Sequence, residues 1–109
     1  MLRRTFTRCG PRPLSAPAIT SALQDLPRWR LDGNSLSHIE RDYVCRDFPQ
    51  AVAFLQAVAP VCEAMGHHPL WANVHRRVNV KLTTHDAGNT VTQKDIDLAH
   101  AIEKAFKAL

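Results

Sequence analysis

The segment from Asn73 to Thr84 alternates in a way that suits a strand with one wet face and one dry face. Val74, Val78, Val80, Leu82 and Thr84 share one side, and His75, Arg77, Asn79, Lys81 and Thr83 take the other. A strand of this kind belongs in a sheet covered on one side only, so helices packed on one face of an antiparallel sheet are expected.

The rest of the chain supplies the missing pieces. Thr20 or Ser21 is placed to cap a short helix through Leu26, with Pro27 as its stop. Trp29 and Leu31 alternate with Arg28 and Arg30 as a short strand, and Asp32-Gly33-Asn34 reads as a turn. Ile39, Tyr43 and Cys45 share a face of the next strand, with Arg41 as its polar member. Asp47 caps a central helix, with Pro49 in the first turn, where a missing N–H costs little. Its apolar stripe is Phe48, Val52, Leu55 and Val58 or Ala59; Pro60 predicts a bend, and Gly66 an end after about Met65. Trp71–Val74 is read either as a further strand or as the approach to the alternating one. After a loop at Asp86–Asn89, Thr92 and Asp95 form a capping-box pattern that opens a helix to the C-terminus. Leu98 or Ala99, Ile102, Ala105 or Phe106, and Leu109 make its stripe. The expected fold is α+β, one domain from Thr20 to the C-terminus.

Charge is informative once it is located. Four of the fourteen basic residues, Arg3, Arg4, Arg8 and Arg12, lie in a first stretch of 24 residues that has no Asp or Glu. From Asp25 onward ten basic side chains face ten acidic ones, and a neutral body with no basic stripe argues against direct nucleic-acid binding. Residues 1–19, rich in Arg, Ser, Thr and Pro, have the composition of a mitochondrial presequence. A short disordered extension has it too, and Pro11, Pro13 and Pro17 would interrupt a presequence helix. Both readings stand, giving an intracellular protein that is mitochondrial on the first and cytoplasmic on the second. No apolar run approaches the ~20 residues of a membrane span, so no membrane association is expected. Cys9, Cys45 and Cys62 are odd in number and lack C-x-x-C spacing, which fits neither a disulfide framework nor a zinc ribbon.

Six histidines are many for 109 residues, and three stand at element boundaries: His67 and His68 after the central helix, His85 after the alternating strand. Local backbone caps, a zinc site and metal-free acid–base chemistry are all compatible with them. Imidazole suits the last because it exchanges protons near neutral pH. No H-E-x-x-H or Cys-rich set accompanies them, which speaks against a metal, and no cofactor is expected, but on chemistry alone all three readings stay open.

The run Glu63-Ala-Met-Gly-His67-His68-Pro69-Leu-Trp71-Ala-Asn73-Val74 resembles the signature of the pterin-4a-carbinolamine dehydratases. It leads into Val78-Asn-Val80-Lys-Leu82-Thr83-Thr84-His85, and Thr92-Gln-Lys-Asp95-Ile-Asp-Leu98-Ala99 resembles that family's last helix. Leu26-Pro27-Arg28-Trp29, Asp32-Gly33 and Asp47-Phe48 match further recurrent positions, so the likeness covers roughly Thr20 to the C-terminus. It implies a four-stranded antiparallel sheet with three helices on one face, assembled as a homodimer or homotetramer. By the same resemblance His67, His68 and His85 are the catalytic histidines. Glu63, Gly66, Trp71, Thr83, Thr84 and Asp95 are candidate substrate-binding residues, Gly66 standing where the family often has Asn or Asp. His38, His75 and His100 match no catalytic position.

The implied reaction takes a small-molecule pterin, 4a-hydroxytetrahydropterin, to quinonoid dihydropterin and water, as in tetrahydrobiopterin recycling. His67 and His85 are expected to transfer the protons from a cleft rim, where their loss changes stability little. His68 is expected to bind or orient the ring, and Glu63 to hydrogen-bond a histidine. The alternative is a non-enzymatic protein-binding module, since relatives of this fold act as dimerisation cofactors for a homeodomain transcription factor.

Overall fold

The computed structural model describes residues 11–32 and 37–109. Most of the presequence-like stretch, and the Gly33-Asn34 part of the expected turn, lie outside the described residues. The elements are α1 (Ala16–Ala22), β1 (Arg30–Leu31), β2 (Ile39–Val44), α2 (Phe48–Met65), β3 (Leu70–Val74), β4 (Arg77–Leu82) and α3 (Gln93–Lys107). Short 3₁₀ turns follow α1 at Leu23–Asp25 and β4 at His85–Ala87. The strands form one antiparallel sheet in the order β1-β2-β4-β3. Three helices and four antiparallel strands make the expected α+β fold.

The expected single strand from Asn73 to Thr84 is instead a hairpin. Val74 pairs with Arg77, and His75 turns the chain at φ 53°. Asn73 secures the turn by donating from Nδ2 to the carbonyls of His75 and Arg77, at 3.1 and 3.0 Å. Reversal at His75 puts Trp71 and Asn73 opposite Val80 and Val78 on the inner face, so Val74 points outward and is exposed. A period of two continues on both sides of the turn and only its phase changes, so the period by itself does not mark the reversal. Within β4 the expected faces hold: Val78, Val80 and Leu82 are buried, and Thr84 continues the series.

The helices cover that inner face. In α2, Asp47 accepts from the Gln50 N–H at 2.9 Å, and the helix runs unbroken past Pro60 to Gly66, which sits at φ 62°. Its buried stripe is Ala51, Phe54, Val58 and Cys62, rotated from the expected one, and Phe48 and Ala59 are exposed. The rotation follows from Phe54, whose ring meets those of Tyr43 and Phe106 at centroid distances of 4.7 and 5.2 Å. Helix α2 is also the described helix long and apolar enough to cross a membrane, at 18 residues and mean hydropathy 1.2, because Gln50, Gln56 and Glu63 are its few polar interruptions. The expectation of no such run is corrected to that extent. Only one side of α2 is taken up by the sheet.

Helix α3 buries Ile96, Leu98, Ala99 and Ile102, while Leu109, expected in its stripe, is exposed. Arg41, the polar member of the inward face of β2, reaches Glu103 of α3 and stacks over Tyr43 at 4.0 Å. Glu103 also accepts from Trp29 Nε1 at 2.9 Å and Tyr43 Oη at 3.1 Å. Burial pushes the Glu103 pKa up, but these donors, Arg41 first, outweigh it and hold the carboxyl below its ordinary range.

Helix α1 begins at Ala16, earlier than the expected Thr20 or Ser21 cap. Ser15 accepts from the Ala18 N–H at 3.2 Å, and Pro17 fits the first turn. Ile19 is in the core, and the Leu14 N–H donates to the Val91 carbonyl at 2.9 Å. The packed domain therefore starts before Thr20, because a proline cluster read as unstructured contains a helix-opening Ser-x-Pro. Ile19→Ala is expected to cost about 2–5 kcal/mol, the usual range for emptying a core site. A chain beginning at Thr20 should be less stable than one beginning at Pro11, read from the denaturant midpoint. Equal midpoints would place α1 outside the cooperative fold.

Candidate active site

Antiparallel pairing brings distant parts of the sequence to one end of the sheet. Leu70, at the start of β3, pairs with Lys81 near the end of β4, so the segment leaving α2 (residues 66–69) lies beside Thr83–Asp86. Between them is a cleft of about 420 Å³, lined by Gly66, His67, His68, Thr83, Thr84, His85 and, from α3, Lys94.

Each histidine is held through one ring nitrogen. His67 Nε2 is 2.6 Å from Asp95 Oδ1. Asp95 is fully buried, and its other oxygen accepts from Thr84 Oγ1 at 2.8 Å and the Thr92 N–H at 2.9 Å. Thr84 and Thr92 share a further hydroxyl contact at 2.7 Å. A carboxylate oxygen accepts, so Nε2 is the donor of this contact and Nδ1 is not used by it. His68 Nε2 lies 2.7 Å from Glu63 Oε1, and both side chains are largely exposed. His85 Nδ1 lies 2.6 Å from Asn89 Oδ1, which leaves Nε2 free. Asn89 presents that oxygen from the left-handed region, at φ 59°, just after Gly88 at φ 73°. Gly66 is also left-handed, and a Cβ there would meet nothing within 4 Å, so backbone conformation rather than space favours glycine.

Most of the expected residues meet here, with corrections. His67 is not at a rim: it is 8% exposed and part of a buried network. Asp95 does not line the cleft but stands behind His67, combining that contact with the capping box of α3. Glu63 and Trp71 line a neighbouring hollow of about 390 Å³, shared with His68 and Pro69, so Trp71 does not wall the main cleft. Glu63 pairs with His68, not His67. Thr83 donates its hydroxyl to the Ser37 carbonyl, which joins this end of β4 to the approach of β2. Asp86 and Lys94 line the cleft although no motif pointed to them. The readable signal for Lys94 was a cation in the first turn of a helix, where the macrodipole disfavours it.

The profile of the family described as Pterin 4 alpha carbinolamine dehydratase matches residues 12–105. The chain belongs to that family. Among its relatives, a Bradyrhizobium protein is 47% identical over 97 residues, spanning 88% of this chain and 94% of its own. One from Mesorhizobium japonicum is 47% identical over 93 residues, spanning 85% and 93%. Both are provisionally named pterin-4-alpha-carbinolamine dehydratases. A crystal structure of a transcriptional coactivator/pterin dehydratase from Brucella melitensis superposes with a TM-score of 0.79 at 32% identity, covering 85% of this chain and 97% of that one.

The buried network makes a stability contrast between two histidines. His67→Ala strips a fully buried carboxylate of one of its donors and should cost about 1–3 kcal/mol. His85→Ala, at an exposed site, should leave stability within about 0.5 kcal/mol. Denaturant titration of both variants tests this; equal midpoints would mean the Asp95–His67 contact contributes nothing to folding.

Proposed function

We propose that this protein dehydrates 4a-hydroxytetrahydropterin to quinonoid dihydropterin. The observation that carries the reading is a single cleft lined by three histidines, each tethered at one ring nitrogen and open at the other. Loss of water needs a proton delivered to the 4a hydroxyl, cleavage of the C4a–O bond, and removal of the proton on N5 as the C4a=N5 bond forms. The proton gained by the leaving hydroxyl and the one lost from N5 balance, so an acid and a base flanking one ring suffice. His67 and His85 are the proposed pair, working through Nδ1 and Nε2 respectively. Asp95 fixes the tautomer of His67, and His68, braced by Glu63, orients the ring. The turnover so described would return oxidised pterin to tetrahydrobiopterin recycling.

A second reading, a protein-binding role, has its own support. The outer side of α2 carries exposed Ala53, Gln56, Ala57, Ala59 and Pro60, and Glu63 is the only charged residue of the helix. The similar Brucella melitensis protein is described as a transcriptional coactivator as well as a pterin dehydratase. We assign this face to self-association as a homodimer or homotetramer, compatible with catalysis.

Replacing either His67 or His85 with Ala should slow dehydration by about 10²-fold or more after subtraction of the spontaneous rate. His38→Ala and His100→Ala should not. Full turnover per folded molecule in both site variants would refute the acid–base pair. For the helix face, light scattering should give a mass above that of one chain, and Ala57→Glu should lower it. A monomeric wild-type protein would remove the self-association reading.

A further inference from the structure

Lys94 is in the wrong place for a purely structural lysine. It is the second residue of α3, where the helix dipole presents its positive end and a cation is disfavoured. The helix otherwise follows the usual rule, with Asp95 in its first turn and Lys104 and Lys107 in its last. No ion pair among the described residues compensates Lys94, which lines the histidine cleft together with Asp86. Local rules broken without local compensation tend to mark sites of function.

We infer that Lys94 is a substrate-binding residue, its ammonium donating to the ring carbonyl oxygen of the bound pterin. This rests on the dehydratase reading of the same cleft. The pyrimidinone edge of a pterin offers a carbonyl acceptor beside amino and ring N–H donors. The cleft offers the complementary pair, the Lys94 ammonium and the Asp86 carboxylate, neither of which has an ion-pair partner among the described residues. Lys94 also adjoins Asp95 in the chain, so the group that fixes His67 and the group that holds the ring are set by one helical turn. The histidines then act on a ring held at a defined height in the cleft.

The test uses the full chain and 7,8-dihydrobiopterin, a pterin that does not turn over, with binding followed by quenching of tryptophan fluorescence. Lys94→Met should bind it on the order of tenfold more weakly or worse, the scale of a lost charge-assisted hydrogen bond. Lys94→Arg should bind within a few-fold of wild type. In dehydration assays the Met variant should raise KM more than it lowers kcat. Its thermal midpoint should be unchanged or higher, since a cation leaves a helix N-terminus. Lys104→Met, at the other end of α3, should bind normally. Wild-type affinity in Lys94→Met would overturn the assignment, and so would weakened binding accompanied by a lowered thermal midpoint. Failure of the wild-type protein to bind the probe would instead strike at the pterin reading itself and take this inference with it.

Discussion

The Asp95 carboxylate joins three parts of the chain that are far apart in sequence. It caps α3 through the Thr92 N–H, accepts from Thr84 at the end of β4, and meets His67 just beyond α2. A buried carboxylate is costly unless its oxygens are satisfied, and here three donors satisfy them. The geometry of the cleft depends on that satisfaction. His67 is anchored through this contact, and it lines the space between residues 66–69 and 83–86 together with His68 and His85.

A second carboxylate latches the same helix at its other end. Glu103 lies about two helical turns from Asp95, roughly 12 Å along the axis, and gathers Trp29, Arg41 and Tyr43. Between the two latches, Leu98, Ala99 and Ile102 are buried in the core. Apolar burial supplies most of the driving force for docking α3, but it is non-directional. The two polar contacts fix where along the sheet the helix stops, and therefore where Lys94 and the capping box arrive.

Helix α2 divides the molecule differently. Its inner stripe joins Phe54 to the aromatic cluster of Tyr43 and Phe106, and its end delivers Glu63, His67 and His68. Its outer side, nearly uncharged, is left without a partner by the fold of one chain. Buried Cys62 lies at the seam, where its carbonyl accepts from the His67 N–H and burial pushes its thiol pKa up. The cleft histidines and the nearly uncharged outer surface thus belong to different parts of one helix and its end.

Much was legible in the residues themselves. Alternation in Val78–Leu82 determined which side of β4 is dry, Thr92 and Asp95 announced the last helix, and the His-His-Pro and Thr-His elements pointed to the cleft. These are local patterns, set by backbone period, cap chemistry and a recurring motif. The hairpin at His75 escaped because a period of two runs on both sides of the turn with only its phase changed, and the start of α1 because a Ser-x-Pro cap was embedded in an unpatterned, proline-rich stretch. Tertiary structure alone decided which carboxylate meets which histidine. Glu63 is near both His67 and His68 in sequence, yet Asp95, far from either, takes His67, because neighbouring side chains of an extended segment point apart and the docking of α3 brings Asp95 to only one of them. Burial of His67 was equally unreadable: a boundary position says where the chain turns, and only the docking of α3 says whether that turn is covered.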